Sequence, residues 1–368
     1  MKKHEFIKSQ TVALYGAGNT GRDVMQLLSH EGMNVGFFMD ANAPLGGYLS
    51  GIPVYAPENV PLDVRRAEIP VVVSIFNRDV DVAEIMASLR SRGWRTVISF
   101  TEFHAWYAAQ LGDRFWLTTP SVLDKEASRI ADVSEMWTDD KSREVYSAIL
   151  ASRRSGKVED MPRPNPGEVQ YFPSDIKGWL PDLPLRFVDC GAYDGDTLRA
   201  IKALRLRVGA YAAFEPDMDN FKKLCMSGRE MFDPETTVHL WPCGVSSHAE
   251  YIAFACGMGE ASHLSGDGAG LMVPCVGLDE VLSGFRPNMV KMDIEGAEPS
   301  AVAGASRLIV ENHPRLAISL YHCPDHLWAI PLAIATLYSG YKMYLRVYGY
   351  NLLDVVLYAV PEPFVNLS

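Results

Sequence analysis

The chain has 368 residues, long enough for two domains, and 48% of them are apolar, enough for sizeable cores. Its net charge of −11 and pI near 5.3 speak against a nucleic-acid binder, which needs a basic face. None of the cysteines (Cys190, Cys225, Cys243, Cys256, Cys275, Cys323) forms a C-x-x-C pair, which argues against a zinc ribbon. The start, Met1-Lys2-Lys3-His4-Glu5, is charged and leads into no signal-type apolar segment, so free thiols in the cytoplasm are expected. No apolar run approaches the ~20 residues of a membrane helix.

Thr11-Val12-Ala13-Leu14-Tyr15 reads as a first strand. Gly16-Ala17-Gly18-Asn19-Thr20-Gly21 then spells G-x-G-x-x-G, and Arg22 to Glu31 has helical spacing with Val24, Leu27 and Leu28 on one face. A second strand, Val35 to Met39, ends at Asp40, close to the ~20-residue spacing of a dinucleotide fold. Further strands are predicted at Ile69–Ile75 and Thr96–Phe100, around a helix at Val80–Arg90. Residues 1–105 thus read as a Rossmann-like domain, with Gly16, Gly18, Gly21 and Asp40 as candidates to hold a nucleotide.

The text after Asp40 points elsewhere. Asp40-Ala41-Asn42 and Gly51-Ile52-Pro53-Val54 are similar to small nucleotide-binding domains of bacterial sugar-modifying enzymes, which keep the fold and often lack a dehydrogenase role. No Tyr-x-x-x-Lys pair or other hydride-transfer set occurs between Val71 and Phe100. Two readings stay open: a bound nucleotide, or a docking or dimerising domain with a retained glycine turn. The second is compatible with a homo-oligomer.

Residues 106–169 read as a helical connector and linker. The helical pattern from Thr101 to Ser155 carries Phe103, Trp106, Tyr107, Phe115, Trp116 and Trp137, aromatics expected to be buried between the domains. Met161-Pro162-Arg163-Pro164-Asn165-Pro166-Gly167 breaks both helix and sheet.

Residues 170–368 form the second α/β unit. Phe187-Val188-Asp189-Cys190-Gly191-Ala192-Tyr193-Asp194-Gly195-Asp196-Thr197 reads as strand, tight turn and helix. Tyr211 to Phe214 is the next strand and ends in Glu215-Pro216-Asp217; an acid there suits a ribose, whose two hydroxyls both donate. Val238 to Pro242 is a third strand, followed by Cys243 and Gly244. Cys243 has no evident cationic neighbour and reads as a buried thiol. Gly257 to Gly270 is a glycine-rich loop, which folds over a substrate or is simply mobile, and Leu278 to Leu282 a helical turn. A fourth strand ends at Asp293, within Asp293-Ile294-Glu295-Gly296-Ala297-Glu298. Its three carboxylates suit Mg²⁺ or Ca²⁺, but acids are equally at home at a helix start, and no metal is expected. A fifth strand, Leu316 to Leu320, ends at Tyr321-His322. His322 reads as a general base or as a hydrogen-bonding, substrate-positioning residue; His326 is the weaker candidate. Tyr341–Tyr348 and Leu352–Val360 alternate as a closing strand pair, with a turn at Gly349-Tyr350-Asn351.

Taken in order, Gln170-Tyr171-Phe172, the Asp189–Thr197 turn, Phe214-Glu215-Pro216, Lys291–Glu298, Ser319-Leu320-Tyr321-His322, Tyr344-Leu345-Arg346 and Val356-Leu357-Tyr358 resemble the FkbM family of S-adenosylmethionine (SAM) dependent methyltransferases. The resemblance covers roughly half the chain. The repeated strand–glycine turn–helix pattern at Val12 and Val188 predicts an α/β architecture of two Rossmann-like domains joined by a helical arm, and the resemblance implies a class I methyltransferase fold for the C-terminal one. The resemblance also implies SAM at Asp189, Gly191, Ala192, Tyr193, Asp194, Gly195, Thr197, Glu215, Pro216, Cys243 and Gly244. Gln170 and Tyr171 would lie against the cofactor site as a lid and, with Glu295, touch the substrate; Asp293 and His322 would orient or deprotonate the acceptor. Many members carry a histidine after the arginine, where this chain has Val347. The implied reaction is O-methylation of a sugar, glycan or secondary metabolite, with no nucleic-acid or membrane partner. The alternatives are an NAD-dependent oxidoreductase using the first domain and a non-catalytic SAM-binding protein.

Overall fold

The fold was read from a computed structural model, which describes all residues except 1–2, 7, 43–46, 62–63, 65, 166, 233–234, 255–270 and 363–368. Cys256 and the predicted Gly257–Gly270 loop lie outside the described residues. The chain divides into two compact units. The first comprises 1–125, 147–164 and 349–353; the second comprises 126–146, 165–348 and 354–368. The helical stretch after residue 105 is therefore shared, with 126–146 in the second unit and its flanks in the first. Among the described residues no helix is long and apolar enough to cross a membrane.

The first unit is built on a six-stranded sheet: β1 Thr11–Tyr15, β2 Asn34–Met39, β3 Gly47–Leu49, β4 Ile52–Tyr55, β5 Val71–Val73 and β6 Val97–Ser99, in the order β3-β4-β2-β1-β5-β6. All neighbours pair in parallel except the β3–β4 hairpin. The parallel core explains the all-apolar strands, which are covered on both faces: Val12, Ala13, Leu14 and Val71–Val73 are fully buried. Phe103, Tyr107 and Trp116 are buried within this unit, whereas Trp137 is buried in the other.

The second unit carries a seven-stranded sheet, β7 Leu185–Cys190, β8 Val208–Phe214, β9 Thr237–Trp241, β13 Met289–Met292, β14 Arg315–Ser319, β15 Tyr341–Val347 and β16 Val355–Pro361. Its order is β15-β16-β14-β13-β7-β8-β9. The five strands from β14 to β9 run parallel and β16 is antiparallel to both its neighbours, the arrangement of a class I methyltransferase fold. The order reverses direction at β7, so the crevice beyond its carboxyl end lies at the topological switch point. A separate three-stranded sheet, β10 Gly244–Val245, β11 Glu250–Phe254 and β12 Leu271–Val276, follows β9 and is absent from the sequence reading.

The closing pair also differs from expectation. Its second strand starts at Val355, because Asn351, Leu352 and Asp354 take left-handed backbone that cannot continue a strand. Asn351 instead donates from Nδ2 to the carbonyls of Asn77 and Val80 in the first unit.

On β15, Arg346 is buried and clamps the segment before the helix Asp140–Ser155 to the sheet. It donates to Asp139 Oδ2 at 2.7 Å, to both oxygens of Asp175 at 3.0 and 3.1 Å, and to Ser142 Oγ at 2.9 Å. Breaking a fully buried ion pair costs about 3–5 kcal/mol. Here the carboxylates keep about a third of their side-chain surface (32% for Asp139, 31% for Asp175), and water softens the loss. Arg346→Met is therefore expected to lower stability by about 2–3 kcal/mol, read as a shift of the urea midpoint at unchanged slope.

Candidate active site

β8, β7 and β13 lie side by side, and their carboxyl ends carry Glu215, the Gly191 turn and Asp293 in that order. The turn is pinned on both sides. Gly191 and Ala192 donate their N–H groups to the Phe214 carbonyl, and the Asp293 N–H reaches the Cys190 carbonyl. A Cβ on Gly191 would lie 2.0 Å from the Asp293 carbonyl oxygen.

Beneath this turn lies a buried charge pair. Asp189 and Lys291 are register partners on β7 and β13, and Lys291 Nζ sits 3.1 Å from Asp189 Oδ1. The Tyr211 hydroxyl donates to Asp189 Oδ2 at 2.7 Å. Burial works against the Lys291 ammonium, but Asp189, Asp293 and Asp196 outweigh it and raise its pKa. Asp189 is fully buried, and its contacts are with this frame. The sequence reading gave Lys291 no role. The signal was present: a lysine inside an apolar parallel strand is rarely buried unless paired.

Glu215 is nearly buried, at 6% exposure. Its Oε2 accepts the Tyr193 N–H at 2.8 Å and its Oε1 the Asp217 N–H at 2.9 Å. A carboxylate has about four acceptor positions, so these bonds leave capacity on both oxygens. Burial raises its pKa to about 7 against those two backbone bonds and the nearby Lys291. Ala192 and Thr197 are buried, while Asp194 holds Arg199 at 2.6 Å. Cys243 is a buried thiol pushed up to about 12 by burial. Gly244 lies in β10, where a Cβ would come 2.8 Å from Cys275 Sγ.

On the other side of the turn, Asp293 anchors a dense cluster. Tyr171 donates its hydroxyl to Asp293 Oδ2 at 2.6 Å, and the Tyr321 hydroxyl is 3.4 Å from Oδ1. Gln170 Nε2 donates to the Tyr171 hydroxyl at 3.0 Å. Tyr171 is held in left-handed backbone, its N–H bonded to the Tyr358 hydroxyl and its carbonyl to Trp179 Nε1. His322, from the end of β14, inserts its ring between carboxylates: Nδ1 is 2.7 Å from Glu298 Oε1, and Nε2 is 3.4 Å from Asp293 Oδ1 and 3.5 Å from Glu295 Oε2. Glu298 is fully buried and also accepts the Ile294 and Gly296 N–H groups. His326 Nδ1 stands 3.4 Å from its Oε2.

Electrostatics bind this cluster together. Burial disfavours the His322 cation, but Glu298, Glu295 and Asp293 raise its pKa to about 10. Burial likewise opposes the charge on Asp293, yet His322, Lys291 and the Tyr171 hydrogen bond hold its carboxyl below the usual range. Glu295 is pushed up to about 8, chiefly by burial.

The first unit's fingerprint packs tightly at its third glycine. A Cβ on Gly21 would lie 2.1 Å from the Gly16 carbonyl oxygen, so its smallness lets the helix Asn19–His30 close on the turn. Gly18 has open space around it. Asp40 accepts the Ala17 N–H on Oδ2 and the Asn42 N–H on Oδ1, both at 2.9 Å.

Residues 189–352 match the family model described as the methyltransferase FkbM domain. A solved structure described as methyltransferase FkbM from Methylobacillus flagellatus KT is similar in fold, with a TM-score of 0.76 at 20% identity, covering 95% of this chain and 90% of that one. No curated protein matches the chain. The chain thus carries a match to the FkbM methyltransferase domain at 189–352, the stretch that holds the Gly191 turn, Glu215, Asp293 and His322.

Proposed function

We propose that this methyltransferase uses S-adenosylmethionine and methylates a hydroxyl on a sugar, glycan or related small molecule. The carrying observation is the placement of two carboxylates, Glu215 and Asp293, on the strands flanking the Gly191 turn. What fits the cofactor is the nearly buried Glu215 at the strand end beside the glycine turn, which keeps acceptor capacity for a ribose diol.

The cofactor supplies a methyl group already activated on a sulfonium sulfur. The chain's own residues supply position. Glu215 accepts the ribose hydroxyls, and Asp293 accepts the hydrogen of the acceptor hydroxyl and draws its proton away. Tyr171 and Tyr321 fix the Asp293 carboxylate from both oxygens, and His322, braced on Glu298, steadies it from behind. Alignment of this kind supplies up to about 7–11 kcal/mol, and proton removal typically about 10²–10⁴ in rate. The sugar-type sequence of the first unit favours a glycan or nucleotide-linked sugar as acceptor; that step is analogy.

Calorimetry on two acids at the ends of equivalent strands tests the cofactor's place. Hydrogen bonds to charged groups contribute about 1.5–3 kcal/mol, so Glu215→Ala is expected to weaken SAM binding by roughly 10–100-fold. Asp40→Ala should leave it unchanged, because Asp40 belongs to the other unit. SAM affinity of the unaltered protein should also rise as pH passes about 7 and Glu215 ionises. Affinity sensitive to Asp40 and indifferent to Glu215 would put the cofactor in the first unit.

A further inference from the structure

We infer that Tyr358, on β16, is a positioning residue for the reacting carboxylate: with Trp179 it locks Tyr171 into a strained turn, and through Tyr171 it fixes the direction of Asp293. The role rests on the reading of Asp293 as the group that takes the acceptor's proton; the lock itself does not. The sequence reading placed Tyr171 on a lid and gave Tyr358 and Trp179 no role.

Val169, Gln170, Tyr171 and Phe172 form a tight turn, closed by the Phe172 N–H on the Val169 carbonyl at 2.9 Å. Tyr171 occupies its third position with a φ of 69°. Turns with a left-handed third residue ordinarily carry glycine or asparagine there, because a larger side chain is strained. Such strain persists at a functional site only where the surroundings over-determine it. In this protein both backbone groups of Tyr171 are held by buried side chains. Its N–H donates to the Tyr358 hydroxyl at 3.0 Å, and its carbonyl accepts from Trp179 Nε1 at 2.8 Å. The rings of Trp179 and Tyr358 meet edge to face, with centroids 4.7 Å apart.

Packing alone does not require a tyrosine at 358. The residue lies within β16, opposite Ala317 on β14 and Tyr344 on β15, where a phenylalanine ring would fill the same space. The hydroxyl makes the connection. It donates to the Tyr348 hydroxyl at 2.7 Å, which leaves its lone pairs to receive the Tyr171 N–H. At the other end, the Tyr171 hydroxyl donates to Asp293 Oδ2 at 2.6 Å, a short bond to a charged acceptor. Turning the carboxylate breaks that bond. The antiparallel strand of the sheet therefore reaches the end of β13 through one side chain.

The test needs neither a methyl acceptor nor SAM. The full chain is labelled with ¹³C at its aspartate carboxyls, and Asp293 is assigned as the signal missing from Asp293→Asn. Tyr171→Phe is expected to raise the midpoint of the Asp293 titration by about 1–2 pH units, the value of one hydrogen bond to a charged group. Tyr358→Phe keeps the Tyr171 side chain and should move the midpoint in the same direction by a smaller amount. Asn288→Ala is the control: it removes side-chain bonds to Arg186 and Pro184 at the opposite end of β13, so it should lower the melting temperature and leave Asp293 unchanged. Should Tyr358→Phe fail to fold, Trp179→Phe, which frees the Tyr171 carbonyl, reads the same lock. A wild-type Asp293 titration in the folded lock variant overturns the proposal, and so does an equal shift in Asn288→Ala. Full methyl transfer by Asp293→Asn would instead remove the catalytic role and leave the lock standing.

Discussion

Gly191→Ala is expected to destabilise the second unit by more than about 4 kcal/mol and to abolish SAM binding. Two costs add at this position. The backbone is left-handed, with φ of 77°, which costs a residue with a side chain roughly 1–2 kcal/mol. The larger cost is steric. A methyl group there would sit 2.0 Å from the Asp293 carbonyl oxygen and 3.1 Å from the Ile294 side chain. The first obstacle is backbone, so no rotamer change relieves it, and β7 and β13 must part. Parting them disturbs the Asp189–Lys291 pair two residues below and moves the turn away from Glu215 and Asp293 together. Gly18→Ala is the matched control: nothing lies within 4 Å of that position and its φ is −77°. It should cost under about 1 kcal/mol, as a surface change at a helix N-cap. Thermal melting and calorimetric SAM binding read both variants; equal, small effects would mean that the Gly191 turn is looser than the geometry requires.

What the sequence disclosed follows from locality. Parallel strands buried on both faces are near-continuous apolar runs, and a polar residue at the end of such a run marks the sheet's carboxyl edge. Asp189, Glu215, Asp293 and His322 were all visible in this way. The contacts that give these residues their environment join distant parts of the chain and have no local signature. Tyr171 reaches Asp293, and Arg346 reaches Asp139, across more than a hundred residues each. The small sheet has a weak local signature: its central strand β12 carries Pro274, which reads as a break, and pairs in parallel with the two-residue β10 and antiparallel with β11. The shared acid at the end of the second strand shows the limit most plainly. Asp40 and Glu215 look equivalent in sequence, and each even receives two backbone N–H groups. They differ in setting: Glu215 is nearly buried, whereas one of the Asp40 bonds is exposed to water.

Asp293→Asn is expected to lower the methyl-transfer rate by about 10²–10⁴-fold while changing SAM affinity by less than about threefold. The magnitude is that of a lost general base. An amide keeps the shape and can still accept one hydrogen bond from Tyr171, so the fold survives, but it cannot draw a proton from the acceptor hydroxyl. SAM affinity is spared because Glu215, the ribose acceptor, follows β8, across the turn from Asp293. His322→Ala should fall in the same direction, because its Nε2 stands 3.4 Å from Asp293 Oδ1 and its removal leaves Glu298 and Glu295 uncompensated beside the carboxylate. Groups that act as a unit are not additive, so the double variant should lose little more than the worse of the two singles. Single-turnover rates with a confirmed acceptor, set against calorimetric SAM affinities, separate the outcomes. Fully additive losses would show that His322 acts on the reaction by a route that does not pass through Asp293. A rate unchanged in Asp293→Asn would remove the carboxylate from the chemistry altogether and leave alignment by the fold as the source of catalysis.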